Sequence, residues 1–286
     1  MKILSVSLGF PGVCATLKNG RDIGLWDFIE IKEENQKLPE ADIYIWGSWT
    51  HLTQKELPKG KHIVFWSSSC AETGIQQNEV NFLASIVSDK RIDKIWFVDK
   101  ALADCFEKGF YMPHPIKEIK PKGLDKENYI TLLQPPALKK NQFGMLIAVK
   151  LLQKERDIEL WTNLKPYKPI LDWLKIKYKL LDWLDRDTYL EILEKARANL
   201  SVSFAEAFCY QISEASFLEV PSVVSPAIEW YDKELMANPN NPIEIKQKLE
   251  YILDNEELQK KVRNTILKQA EQNNKKIKEI LLNILL

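Results

Sequence analysis

Residues 198 to 225 read ANLSVSFAEAFCYQISEASFLEVPSVVS, an order of apolar and polar residues that is typical of a parallel α/β domain. The run from Leu200 to Ser203 predicts a strand, and the residues after it predict a turn that carries Glu206. A helix is predicted to begin close to Phe208, and a second buried strand to cover Ser222 to Ser225. Because strand, helix and strand follow one another so closely, we predict a βαβ unit here.

The start of this predicted helix is a candidate anion site. The first backbone N–H groups of a helix have no partner within it and lie at the positive end of its dipole, so they can bind phosphate oxygens. The amides so placed are those of Phe208, Cys209, Tyr210 and Gln211. Glu214, about two turns on, would accept the hydroxyls of a nucleotide ribose, and Glu206 would face a sugar.

The first half of the chain repeats this alternation of short apolar runs and helical patterns. Strands are predicted at Ile3 to Ser7, Ile43 to Trp46, His62 to Trp66 and Lys94 to Val98. Ligands of doubly wound sheets bind at the carboxyl ends of strands. We therefore expect one crevice to be lined by the turns at Gly9 to Gly12, Gly47 to His51 and Ser67 to Gly74.

Prolines, a glycine and many charges interrupt the pattern between Pro113 and Lys126, which predicts a domain boundary. The predicted strands beyond it are Tyr129 to Leu133, Ile158 to Thr162 and Lys175 to Leu181. The predicted helices are Phe143 to Gln153, Tyr189 to Ala198 with Asp187 or Thr188 as N-cap, and most of Ile243 to Leu286. We predict domains over 1–116 and 128–270, a linker over 117–127 and a terminal helix over 271–286.

The composition predicts a globular protein with no global charge. Of the 286 residues 45% are hydrophobic and 28% charged, and Lys plus Arg and Asp plus Glu both number 40, so no overall field would attract nucleic acid or an anionic membrane. The four cysteines form no C-x-x-C pair, which favours reduced thiols. The first apolar run is too short for a signal sequence or a membrane span. These features favour a cytoplasmic protein.

Glu206 and Glu214 resemble the E-x7-E motif of the group 1 (family 4-like) retaining glycosyltransferases, in which a strand, a glutamate followed by an aromatic residue, and a second glutamate precede a buried strand. Other segments resemble that family in the same order. They are Ile92 to Lys100, the interdomain Pro113 to Ile116, the loop Lys139 to Gln142, and the closing helices over Asn241 to Arg263.

The resemblance implies the GT-B fold, an α/β architecture of two Rossmann-like domains facing across a cleft, with the last helix packing back on the N-terminal domain. It implies transfer of a sugar from a nucleotide-diphosphate donor to an acceptor hydroxyl with retention of configuration, without a metal or other cofactor. Glu206 would be catalytic by orienting the sugar, and Lys140, the helix amides and Glu214 would bind the donor. Asp185-Arg186-Asp187 has the letters of a metal-binding D-x-D, but N-capping explains it.

The acceptor side and its partners are less defined by the sequence. Gly9, Gly12 and Ser68 are the acceptor-side candidates, and the acceptor would be a glycan, a lipid-linked sugar or a modified DNA base. The basic and then apolar end of the chain, Lys275 to Leu286, is a candidate for peripheral membrane contact, although in the GT-B fold it would instead cover the first domain.

Several residues also have plain structural interpretations. Two glutamates at this spacing can lie on a solvated face, Lys139 and Lys140 can belong to a solvated loop, and Ser67 to Ser69 can form an ordinary turn. The family also carries an arginine five residues before the loop lysine, where this chain has Pro135, and a glycine where it has Cys209. A non-catalytic binding or scaffold protein with the same fold is therefore the alternative. We further expect Glu214 to have no partner within the protein.

Overall fold

The structure is a computed structural model that describes residues 2–9 and 11–285, without the side chains of residues 11 and 285. Residue 10 of the predicted glycine turn and residue 286 of the predicted terminal helix lie outside the described residues. Contacts divide the chain into two compact units. The first holds the residues up to Lys117 and those from Ala270 onward, and the second runs from Glu118 to Gln269.

The first unit is built on a parallel sheet. Its strands are β1 (Ile3–Ser7), β2 (Asp27–Glu30), β3 (Ile43–Gly47), β4 (Lys61–Trp66), β5 (Lys94–Phe97) and β6 (Gly109–Tyr111). Their order in the sheet is β2-β1-β3-β4-β5-β6. The helices are α1 (Pro11–Asp22), α2 (Cys70–Ile75), α3 (Gln77–Ser88) and α4 (Lys100–Cys105), with a 3-10 turn at Ser48–Thr53.

Both faces of this sheet are covered, which is why its central strands are apolar at successive positions. Side chains alternate between the faces. Leu4 of β1 and Trp46 of β3 lie in the cluster that includes Ile86 of α3. Ile43 and Ile45 lie in the opposite cluster, which includes Leu17 of α1 and two residues of the chain's last helix, Ile277 and Leu281. The terminal segment thus packs on the N-terminal sheet, as the GT-B resemblance implies.

The four strands predicted in this half are present, each within one residue of its predicted bounds. The prediction missed β2 and β6, which lie at the two edges of the sheet. Asp27 and Glu30 of β2 are exposed, and the three residues of β6 are only partly buried. Edge strands therefore lack the continuous apolar run that marks a strand covered on both faces.

A second parallel sheet forms the centre of the other unit. Its strands are β7 (Tyr129–Leu132), β8 (Glu159–Thr162), β9 (Tyr178–Leu180), β10 (Ala198–Ser201) and β11 (Ser222–Val224), in the order β11-β10-β7-β8-β9. Its helices are α5 (Gln142–Leu152), α6 (Lys168–Trp173), α7 (Arg186–Lys195), α8 (Tyr210–Phe217), α9 (Pro242–Asp254) and α10 (Leu258–Leu285), the last ending in the first unit. Further 3-10 turns lie at Leu138–Lys140, Lys165–Tyr167 and Lys233–Leu235.

Several predicted bounds in this half were wrong. The helix predicted over Tyr189 to Ala198 is α7, which begins at Arg186 because Asp185, rather than Asp187 or Thr188, is its N-cap. The Asp185 carboxylate accepts the backbone N–H groups of Asp187 and Thr188, both at 3.0 Å. The capping explanation of Asp185-Arg186-Asp187 is thereby confirmed. In the part of the chain that the structure describes, no helix is both long and apolar enough to cross a membrane.

Candidate active site

The segment between β10 and α8 differs in detail from its prediction. The strand ends at Ser201 rather than Ser203, and the helix begins at Tyr210 rather than near Phe208. The helix starts late because Cys209 has a left-handed backbone, with φ of 64° and ψ of 81°, and such a residue cannot continue a right-handed helix. The Cys209 carbonyl accepts the first helical N–H groups, those of Ile212 and Ser213.

Glu206 of this segment meets Lys140, which lies in the 3-10 turn before α5, although 66 positions separate the two residues in the chain. The Lys140 ammonium forms a close ion pair with the Glu206 carboxylate, and only 13% and 6% of the two side chains are exposed. The Ser203 hydroxyl donates a second hydrogen bond to Glu206, at 2.8 Å. The structure therefore brings together the residues that the sequence assigned to the donor phosphate and to the sugar.

Backbone contacts join the two loops that carry this pair. The amide of Phe204, after β10, donates to the carbonyl of Lys139, after β7, at 2.7 Å. Asn141 has a left-handed φ of 52°, and its side-chain amide donates to the carbonyls of Val202 and Pro239 at 3.1 and 2.7 Å. The loop at the start of α5 is thus fixed to the loop before α8, which holds the Lys140 ammonium beside Glu206.

The other predicted donor residues around the start of α8 are anchored by their side chains. Phe208 is buried, stacks on Trp230 with ring centroids 5.3 Å apart, and meets Tyr210 edge-on at 5.0 Å. The Gln211 side chain donates to Asn199 on β10 at 2.9 Å. Because these side chains contact other parts of the protein, the predicted contacts of these residues with the sugar donor would be made by their backbone amides.

Cys209 is not suited to nucleophilic chemistry. Burial raises the pKa of its thiol to about 11, and the nearby Glu206 carboxylate adds to the shift. The thiol is therefore protonated near neutral pH, while the reactive form of a cysteine is the thiolate. Its sulfur lies 3.5 Å from the Ser201 hydroxyl.

The prediction that Glu214 has no partner in the protein was wrong. The Arg186 guanidinium forms an ion pair with one Glu214 oxygen at 2.7 Å, and the Tyr189 hydroxyl donates to the other at 2.9 Å. Burial, followed by the Glu214 charge, raises the pKa of Tyr189 well above its ordinary value, so the phenol remains a donor. Both partners belong to α7, whose contact with α8 the sequence pattern gave no means to predict.

Glu214 lies at the wall of a cavity of about 630 Å³ within the second unit. Four apolar side chains line it, those of Leu133, Leu181, Trp183 and Leu184. Its polar lining consists of Asn163, Lys165, Asp182, Asp185, Arg186, Tyr189 and Glu214. Apolar walls with a few convergent polar groups are typical of small-molecule sites.

The acceptor-side candidates follow strands of the first sheet, as predicted. Gly9 comes after β1 with φ of 91°, a conformation that favours glycine, and a Cβ there would lie 3.2 Å from an oxygen of Glu30. Gly12 is inside α1, and Ser68 lies between β4 and Ser69, the N-cap of α2. Because β1 and β4 are separated only by β3, these residues lie along one edge of the sheet.

Comparison with known proteins supports the fold. No protein-family model matches the sequence, and no curated protein matches it. A mutant of S. aureus TarM, solved with fondaparinux, α-GlcNAc-glycerol and UDP, is 14% identical with a TM-score of 0.66, over 82% of this chain and 54% of that one. The chain thus spans about half the length of TarM.

Two further solved structures cover more of their own length. A glycosyltransferase from Rickettsia africae ESF-5 is 14% identical with a TM-score of 0.66, over 98% of both chains. The α,α-trehalose-phosphate synthase (UDP-forming) from Burkholderia xenovorans, in complex with glucose-6-phosphate, is 11% identical with a TM-score of 0.63, over 87% of this chain and 74% of that one. These likenesses confirm the predicted α/β architecture of the GT-B fold.

Proposed function

We propose that this chain is a glycosyltransferase that moves a sugar from a nucleotide-diphosphate donor to an acceptor hydroxyl. The observation that carries the proposal is the buried pair of Lys140, in the loop before α5, and Glu206, in the loop before α8, with the two loops joined by hydrogen bonds. Fold alone does not determine chemistry, so the proposal rests on these side chains. A buried ion pair is weak evidence for stability, and its place at the carboxyl edge of a parallel sheet is better explained by ligand binding.

Lys140 would act on the diphosphate. Its ammonium has three N–H donors, so it can bind a phosphate oxygen while it still contacts Glu206. When the bond to the sugar breaks, negative charge develops on the departing diphosphate. The Lys140 charge and the amino end of α8 would stabilise that charge in the transition state, and Glu206 would accept hydrogen bonds from the sugar hydroxyls.

Glu214 would bind the ribose, and its partners support this role. Arg186 and Tyr189 each occupy one position on a different carboxylate oxygen, which leaves further lone pairs for the two ribose hydroxyls. Held from two sides, the carboxylate loses little side-chain freedom when a nucleotide binds. Arg186 and Tyr189 are therefore positioning residues in this proposal.

The finer features of the reaction follow from the family resemblance. We propose retention at the anomeric carbon, no metal or other cofactor, and an acceptor bound near Gly9, Gly12 and Ser68. That acceptor would be a glycan, a lipid-linked sugar or a modified DNA base. A cytoplasmic location, and domains over 1–116 and 128–270, belong to the same proposal. Because Ile277 and Leu281 of the terminal helix are buried against the first sheet, any peripheral membrane contact would have to use the exposed face of that helix.

The test is incubation with a mixed pool of nucleotide sugars, followed by mass spectrometry of nucleotides and sugars. We expect one sugar donor to be consumed and its nucleoside diphosphate to be released. Glu206→Gln keeps the shape of the side chain but removes its charge, so it should reduce release of the nucleoside diphosphate. Nucleotide binding by this variant, measured by thermal shift, should persist. A wild-type protein that binds no nucleotide would contradict the proposal.

The non-catalytic alternative rests on two departures from the family, Pro135 in place of an arginine and Cys209 in place of a glycine. The Cβ and thiol of Cys209 occupy space directly before α8 that a glycine would leave open. Nucleotide binding without release of a diphosphate, even in long incubations with every donor of the pool, would favour this alternative over turnover.

A further inference from the structure

Trp183 is the most exposed large apolar residue at the rim of the cavity beside Glu214, with 93% of its surface accessible. It lies in the segment between β9 and α7, where its neighbours Leu181 and Leu184 also line the cavity. A single exposed tryptophan is not unusual. One that stands over an apolar cavity beside a carboxylate held in place by two partners is better explained by a ligand with a flat apolar face.

The spacing along α8 indicates which part of a nucleotide would reach Trp183. Glu214 is four residues beyond the start of α8 at Tyr210, which corresponds to about 6 Å along the axis. With the diphosphate at the amino end of α8 and the ribose at Glu214, the base would extend into the cavity that Glu214 borders. The base is the flat, aromatic part of the donor.

A second observation points to a ligand at the same wall. The Asn163 side-chain oxygen is buried and makes no hydrogen bond with any residue in the described ranges. A buried acceptor without a donor costs about 1–3 kcal/mol. Asn163 lines the cavity, and a turn of its side chain toward the cavity would bring this buried oxygen within reach of an N–H group on the edge of a base.

We propose that Trp183 binds the donor by stacking its indole on the nucleobase, with the Asn163 amide as the contact to the edge of the base. This inference rests on the proposed function, because it places the base through the donor's diphosphate and ribose. Stacking uses the face that all nucleobases share. Trp183 would therefore strengthen binding of every nucleoside diphosphate, and the choice among bases would depend on edge contacts.

The chain contains a matched control for this proposal. Trp173 belongs to a second Leu-Asp-Trp-Leu segment and is 73% exposed, but it does not line the cavity. Trp183→Ala and Trp173→Ala therefore each remove an exposed tryptophan side chain from one of two copies of the same tetrapeptide sequence. Neither change should alter the melting temperature much, since neither ring is packed in a core.

The experiment is calorimetric titration of the full chain with UDP, GDP and ribose 5-diphosphate, which lacks a base. We expect Trp183→Ala to weaken the binding of UDP and GDP by roughly 10- to 100-fold, which is the effect of losing one stacking contact with the base. Trp183→Phe keeps an aromatic ring and should weaken their binding less. Binding of ribose 5-diphosphate should not change in Trp183→Ala. Trp173→Ala should bind all three ligands as the wild type does.

Two outcomes would overturn the stacking proposal and can be told apart. If the wild type binds nucleoside diphosphates and Trp183→Ala binds them within twofold of it, stacking is wrong while the proposed function stands. If the wild type binds none of the nucleoside diphosphates, both fail. An equal loss of affinity in Trp173→Ala would also contradict the assignment, because it would show an effect that does not depend on the cavity.

Discussion

Lys140 and Glu206 neutralise each other in a setting where a single charge would be costly. Removing one partner of a buried ion pair leaves an uncompensated charge, with a cost of about 3–5 kcal/mol. We expect Lys140→Met and Glu206→Gln each to lower the free energy of unfolding by about 3 kcal/mol, because little water reaches either group. The double variant should recover at least half of the summed loss.

Urea unfolding of the four proteins in a double-mutant cycle measures this coupling. The slope of unfolding free energy against urea should stay the same, which would show that the four proteins unfold alike. If the two single losses simply add in the double variant, the two side chains stabilise the fold independently, and the ion pair is not the interaction that holds the loops.

Cys209 stores backbone strain at the start of α8. A left-handed conformation costs a residue with a Cβ roughly 1–2 kcal/mol, and glycine avoids that cost. Cys209→Gly and Cys209→Ala both remove the thiol, so their difference isolates the backbone. We expect the glycine variant to be more stable than the alanine variant by about 1 kcal/mol in urea unfolding.

At a helical position, glycine in place of alanine should lower stability instead of raising it, and such a position serves as the control. Ala84 is exposed inside α3, where glycine in place of alanine should lower stability by about 0.5–1 kcal/mol. If Cys209→Ala proved as stable as Cys209→Gly while Ala84→Gly lost stability as expected, the left-handed backbone at residue 209 would not be a source of strain.

Residue-scale reasoning from the sequence proposed candidate residues for the site but did not predict how their side chains are held. The spacing of Glu206 and Glu214, and the loop position of Lys140, identified candidates because local order places them along one strand and helix. Arg186 and Tyr189 contact Glu214 from a different helix. Which face α7 turns toward α8 depends on packing of the whole unit, and no local pattern records it.

At the scale of elements, the N-terminal end of α7 both holds the helix cap and contacts the candidate site. Asp185 caps the helix and lines the cavity, and the next residue along the chain, Arg186, pairs with Glu214. The hydroxyl and backbone N–H of Thr188 hold the pKa of Asp185 below its ordinary value. Asp185→Ala should shift unfolding to lower temperature, since the first turn of α7 loses the acceptor for two N–H groups.

The same variant should weaken nucleotide binding, because fraying of the first turn releases Arg186. Asp187→Ala is the control, since Asp187 is exposed in the same turn and its carboxylate does not cap the helix. Thermal melts with and without UDP compare the two. Equal behaviour of the two variants, or an Asp185→Ala protein with unchanged melting, would show that the cap does not support the site.

In the first sheet the strands in the middle were predictable, and those at its two edges were not. β3 and β4 are almost wholly apolar because helices cover both of their faces, whereas β2 combines exposed acidic ends with two partly buried residues. The start of α8 was misplaced because Cys209 adopts a conformation that its residue type rarely takes. Such a conformation is imposed by its surroundings, and the side chain alone does not predict it.

At the scale of the whole molecule, the three histidines give the fold a common dependence on pH. Burial lowers the pKa of His51 to about 4 and of His114 to about 3, and it also lowers the pKa of His62. In the unfolded chain the same groups titrate near pH 6.5. Between these values the unfolded chain binds protons that the folded protein does not, so stability is full above about pH 6.5 and is lost as the pH falls.

Each histidine that is protonated only in the unfolded chain contributes a slope of about 1.4 kcal/mol per pH unit. Urea unfolding at pH 7, 6 and 5 should therefore show a steep loss of stability before the carboxylates titrate. His114→Gln should reduce the slope. The unfolded chain binds a proton at His114 that the folded protein excludes from the buried site beside Thr16, whereas glutamine binds no proton in either state. The slope is compared rather than the stability itself, so any packing loss in the variant cancels. A slope equal to that of the wild type would mean that His114 is protonated in the folded protein as readily as in the unfolded chain.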